Sequence, residues 1–170
     1  MLSSYTNFLA TSAGASSGFI GLFFVALSFA RQELTNPLIR ERRIILSGGS
    51  LLAWFDIFIV SLLSLTEQTI FFALACVVMA IVSLSTTYAL LSRAVQAGAF
   101  APSSPTRKQS MTFATIAITL YTTQLVVGLA LWRDRQITWP IQFMVLVIAG
   151  LFISGLMRVW VVMWIPPSKN

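Results

Sequence analysis

Histidine is absent from the sequence and Cys76 is the only cysteine. An intrachain disulfide is excluded, and a haem, zinc or iron–sulfur centre held by this chain alone lacks its usual imidazole and thiolate ligands. Enzymatic signatures are missing as well. There are no paired acids within one apolar stretch, no serine with a base beside it, and no glycine-rich phosphate loop between a strand and a helix. The chain therefore reads as non-enzymatic, with no cofactor. Charge is scarce: 9% of the 170 residues are charged while 57% are apolar, against roughly a quarter charged in an ordinary soluble domain. Such a chain cannot cover a soluble surface.

What is present is clustered. No charge occurs between Met1 and Ala30, between Gln68 and Ser92, or between Gln109 and Trp132. Uncharged runs of about 20 residues are the mark of helices that cross a bilayer, and the alternation of a membrane barrel is absent. The fold class expected is an all-α integral membrane bundle, a single transmembrane domain over residues 1–170. Its spans fall at about 8–30, 44–66, 69–92, 111–132 and 138–164, a reading of roughly five crossings. The first span has no basic region ahead of it and no polar cleavage context behind it, so it reads as a retained helix. Only Thr66, Glu67 and Gln68 separate the second from the third, which predicts a tight antiparallel hairpin. Asn36 and Pro37 look like a helix cap with proline at the first helical position, so the second helix is expected to start near Pro37. Pro166 and Pro167 stop the fifth.

The basic residues set the expected orientation. Arg31, Arg40, Arg42, Arg43, Arg93, Arg107, Lys108 and Lys169 fall on one side, in the loops 31–43 and 93–110 and the C-terminus, and only Arg133 and Arg135 on the other. The positive-inside rule then puts the N-terminus outside and the C-terminus in the cytoplasm. Trp132 and Trp139 mark the outer interface and Trp160 and Trp164 the inner one. The net charge of +6 lies beside apolar runs, so it points to anionic lipid and not to nucleic acid.

Asp56 is the residue most in need of explanation. An acid near the middle of a spanning helix costs about 2.5 to 3.5 kcal/mol on insertion scales and is rarely left facing lipid. Gly49 and Ala53 share its helical face, and Gln124 and Ser17 lie at a similar depth, so a polar layer of Ser17, Asp56 and Gln124 is expected. Two readings compete for the acid: a structural hydrogen-bonded group, or a proton- or cation-handling site. Arg158 lies inside the fifth span, where it either snorkels to the headgroups or reaches toward Asp56. Cys76 reads as a small buried apolar residue.

Small residues carry the remaining pattern. Ala10, Gly14, Ser17, Gly18, Gly21, Val25 and Ser28 form one stripe of the first helix, with Gly14, Gly18 and Gly21 as a helix-packing face. Ala73, Cys76, Ala80, Ser83 and Thr87 repeat the theme in the third. The fourth has two such faces: Thr112, Thr115, Thr119 and Thr122 on one, Ala117, Tyr121, Gln124 and Gly128 on the other. Protein on both sides of that helix implies a second copy or a partner, unless the threonines bond back to their own helix.

The stretch from Gly14 to Ser28, followed by basic residues, resembles the opening of poorly characterised prokaryotic small multi-span membrane proteins, and the later hairpin, basic loop and hairpin are similar over most of the chain. That resemblance implies the fold and a prokaryotic plasma-membrane location, and no activity. Two functions remain in view. One is an oligomeric bundle contributing to proton or small-ion passage, with Asp56, Gln124, Ser17, Thr119 and Arg158 as pathway candidates. The other is a non-conducting accessory or scaffold subunit of a larger membrane complex.

Overall fold

The computed structural model describes residues 5–30, 37–66, 68–96, 107–134 and 139–163. They form α1 (Thr6–Ala30), α2 (Pro37–Ser64), α3 (Thr69–Gln96), α4 (Arg107–Arg133) and α5 (Trp139–Met163), with no strand among them. All five helices are long and apolar enough to cross a membrane, the architecture of a multi-pass membrane protein. The second helix does begin at Pro37, whereas α3 and α4 extend past the expected spans, to Gln96 and from Arg107. Lipid sets the length of an apolar run, but a helix continues into the polar zone for as long as nothing breaks it. Residues 31–36 and 97–106, parts of the two basic loops, and the Pro166–Pro167 stop lie outside the described residues.

Between α2 and α3 the chain turns tightly: Leu65 and Thr66 donate back to the carbonyls of Leu62 and Leu63, and the Gln68 carbonyl accepts from Phe71 and Phe72 as the next helix starts. In space, α2, α3, α4 and α5 form a ring in which each packs on the next and α5 closes against α2, while α1 packs on α2 from outside. Position in the ring makes α2 the most enclosed helix. Half of its most apolar window is buried (50%), against 28% for α1.

The outer contact of α2 is aromatic. Phe19 of α1 stacks on Trp54 at 5.4 Å between centroids and Phe23 meets it edge-on at 5.6 Å. Gly155 of α5 makes room for the indole, since a Cβ there would lie 2.7 Å from Trp54 Nε1. Within the ring, Ile57, Phe72, Tyr121, Val127, Leu131, Met144 and Ile148 fill the centre. Outward positions such as Leu22, Phe24, Val25, Leu146, Ile153 and Trp160 are apolar and exposed, whereas Ser83, Asp56, Gln124 and Arg158 are buried. Polar groups inside and apolar groups outside is the order that a hydrocarbon surrounding demands.

Candidate functional site

Asp56 projects from α2 into the ring and is fully enclosed, 0% exposed, as are Gln124 of α4 and Ser83 of α3. Gly49 and Ala53, on the same face of α2, are buried with it. Gln124 Nε2 donates to Asp56 Oδ1 at 2.8 Å and Ser83 Oγ donates to Oδ2 at 3.2 Å. The same Gln124 nitrogen faces the Cys76 carbonyl at 3.4 Å, which tethers the amide to α3 as well. Three helices thus meet at one carboxyl, and both of its hydrogen-bond donors are uncharged. Each neutral bond contributes about 1 kcal/mol net, and far more is lost if one partner is removed and the other stays buried.

The expected pairing of Asp56 with Gln124 is present, but the third member of the layer differs. Ser17 is exposed on the outer side of α1, where its hydroxyl donates to the Gly14 carbonyl at 2.9 Å. The reason is topological: α1 packs on the side of α2 away from Asp56, and the bulky Phe19 and Phe23 turn inward to bury area on Trp54. Ser83 takes the place given to Ser17. Its signal was in the sequence, because Ala73, Cys76, Ala80 and Ser83 share a helical stripe and all four are buried.

Thr119 does not join the site. Thr112, Thr115, Thr119 and Thr122 are all exposed on the outer face of α4, with Thr112 Oγ1 bonded back to the Lys108 carbonyl at 2.9 Å and the Thr119 carbonyl accepting from Thr123 Oγ1 at 2.8 Å. It is the other face, Ala117, Tyr121, Gln124 and Gly128, that enters the ring. The stripe of α1 is likewise outward. Gly14, Gly18 and Gly21 are exposed, and a Cβ on any of them would meet nothing within 4 Å, so they make no close helix contact among the described residues.

Arg158 is turned into the bundle and does not pair with Asp56. It is only 7% exposed and its Nη2 donates to the Phe113 carbonyl of α4 at 3.2 Å, with the guanidinium 5.7 Å from the Phe113 ring centroid. The head rests on Gly49 of α2, where any Cβ would collide with Nη1. Gly49 is therefore a seat for a cation, and one side chain of α5 ties α2 to α4. The axial offset explains the missing ion pair: Asp56 lies roughly 10 Å farther along α2 than Gly49, at about 1.5 Å of rise per residue.

The spacing groups Tyr121 with Ala117, Gln124 and Gly128 on one of two opposed faces of α4, and not with the site. The Tyr121 side chain is buried, and its hydroxyl has no hydrogen-bond partner among the described residues. Gln124 Oε1 and Arg158 Nε are likewise buried without a partner. Among the described residues, no group of three or more histidine, cysteine, aspartate or glutamate side chains comes together to hold a metal. What the arrangement offers chemically is one ionisable carboxyl, a neutral amide, two hydroxyls and a distant guanidinium in an apolar frame. No family model matches the chain, and neither curated proteins nor solved structures give a match.

Proposed function

We propose that this protein is a multi-pass bundle of the prokaryotic plasma membrane in which the Asp56 centre contributes to proton or small-ion passage, with the chain working as an oligomer, in lipid, without nucleic acid and without catalysing a reaction. The observation that supports this most is the company Asp56 keeps. An acid enclosed at mid-span, held only by the neutral donors Gln124 and Ser83, can gain or lose a proton without breaking an ion pair. An ionisable side chain in that position is by default a functional group, since lipid penalises it without return otherwise. In this reading the N-terminus is outside and the C-terminus cytoplasmic, as the distribution of arginine and lysine favours. The likeness to small prokaryotic multi-span proteins belongs to the same proposal.

Flux into liposomes carrying wild-type protein or Asp56→Asn, across a pH series, tests the passage. Asparagine keeps the shape and hydrogen-bonding capacity of the site and removes the exchangeable proton, so flux is expected to be lost while the protein stays assembled. A wild type that conducts no better than empty liposomes at any pH, or a variant with unchanged flux, overturns the assignment. Orientation is tested by impermeant thiol labelling at Ser104 and at Gln68 in a Cys76→Ala background. Ser104 is expected to react only from the cytoplasmic face.

The second reading, an accessory subunit that conducts nothing, is favoured by one observation. The small face of α1, with open space above Gly14, Gly18 and Gly21, is suited to close approach by another helix. Copy number in nanodiscs separates the two readings: a closed ring of identical chains fits passage, and a monomer fits the accessory role.

A further inference from the structure

The ring has a basic end, where α2 and α4 begin and α3 and α5 finish, and a far end. Paired contacts fix the levels of the residues along it. At the basic end Gly48 meets Leu90, and Gly49 meets Arg158, which in turn reaches Phe113. Midway, Asp56 meets Ser83 and Gln124. Beyond them toward the far end, Gly128 lies flush against Cys76 and Val77, and Cys76 Sγ touches Met144 Sδ at 4.0 Å.

Sorted by level, the interior is unequal. On the basic side of Asp56 stand Ser83, Tyr121 and Arg158, along with the buried serines Ser47, Ser50 and Ser154, and Tyr121 Oη and Arg158 Nε are buried with no partner among the described residues. On the far side the ring is filled by Phe72, Cys76, Val127, Leu131, Met144 and Ile148, all buried, and the one buried hydroxyl near this face among the described residues, Ser64 of α2, is spent on the Ser61 carbonyl of its own helix. Buried polar atoms without protein partners are the places that ordered internal water occupies, and apolar interiors stay dry. The hydroxyl of Ser83 commits its single proton to Asp56 Oδ2, so Tyr121 and water are what can pass a proton on to it. Gln124 Oε1, also buried without a partner among the described residues, sits at the level of Asp56 itself, whereas Trp54 Nε1 and Ser61 Oγ, buried likewise, belong to the opposite face of α2, since they lie about 160° and 140° around the helix from Asp56 at 3.6 residues per turn.

We propose that internal water bound along Arg158, Tyr121 and Ser83 connects Asp56 to the basic end of the ring only, with the apolar half beyond Cys76 as a dry seal. The connection deepens the proton-passage reading, for it makes Asp56 a site with one-sided access in the resting state, but it is measured without any transport. In proteoliposomes of the wild-type protein, magnetisation transfer from water in solid-state NMR is expected to reach the Tyr121 ring carbon bearing the hydroxyl and Arg158 Nε, and not the Met144 methyl. Tyr121→Phe assigns the tyrosine signal. Independently, in a Cys76→Ala background, a small charged thiosulfonate is expected to modify Ser83→Cys from the basic face and not from the far face, and to leave Val127→Cys unmodified from either. Equal transfer to Tyr121 and Met144, no transfer to Tyr121, or modification of Ser83→Cys from the far face overturns the proposal. Absence of proton flux alongside the expected water signals counts against passage alone and leaves one-sided hydration supported.

Discussion

The two halves of the ring that meet at Asp56 are built to different rules. Toward the far end, contact is backbone to backbone: a Cβ on Gly128 would come within 2.8 Å of a Val77 methyl and 3.0 Å of the Val77 nitrogen, so α3 and α4 leave each other no room. Toward the basic end, contact runs through long polar side chains, with the Arg158 head filling the space over Gly49. Rigid packing of small residues excludes water and resists change, whereas a seat filled by the flexible tip of an arginine tolerates it. Helices in lipid gain little from hydrophobic exclusion and rely on van der Waals packing and interhelical hydrogen bonds. The far half uses the first and the basic half the second.

Substitutions that overfill or empty each half test this difference. Gly128→Leu should be the most damaging, about 3 kcal/mol, at the top of the range for overpacking, because the obstructing atoms include backbone that cannot move. Denaturation in mixed detergent micelles measures it, and a loss under half that size would mean that α3 and α4 are not locked. Leu131→Ala, which opens a hole in the same half, should cost about 2 kcal/mol in the same assay. Gly49→Ala sharpens the contrast from the other side. The added methyl meets only the tip of Arg158, so the expected loss is about 1 kcal/mol, with the guanidinium displaced and no change in assembly.

Tyr121→Phe is expected to be milder still. It removes a buried hydroxyl that has no hydrogen-bond partner among the described residues, so stability should shift by less than about 1 kcal/mol, while proton flux should fall if water reaches Asp56 past this residue. Undiminished flux in a stable Tyr121→Phe protein would argue that the basic half is not the route. Gly18→Leu should have the smallest effect on the isolated chain. Open space above Gly18 accommodates the side chain, so unfolding of the monomer is expected to be unchanged, and any shift in copy number would identify the α1 face as an intermolecular contact.

Several parts of this picture are legible in the sequence alone. Long uncharged runs force helices, because unpaired backbone is intolerable in hydrocarbon, and that alone gave the crossings and the tight hairpin at Thr66. The start of α2 at Pro37 followed from local chemistry, since proline suits the first helical turn. Asp56 and Gln124 were found together because the cost of burying each in lipid demands a partner at matching depth. Periodicity also separated the inward face of α4, with Tyr121 and Gly128, from its threonine face, though it left open which face met protein.

Which small stripe packs, however, was not available from spacing. Gly14, Gly18 and Gly21 have the pattern of a packing face and lie open, while α1 packs through Leu9, Ser16 and Phe23. The choice turned on Trp54, a large ring on the neighbouring helix that rewards contact with phenylalanines more than close approach of backbones. Ser17 lost its place to Ser83 for a related reason: depth along a helix can be counted, but the side of α2 on which α1 sits depends on how all five helices close around it. Arg158 is the clearest case. Sequence fixes its charge, its depth and its separation from Asp56, which rest on residue order and helical rise. That it is buried over Gly49 and bonded to the Phe113 carbonyl was decided only when α2, α4 and α5 came together, because the stability of a buried cation depends on acceptors that other helices supply.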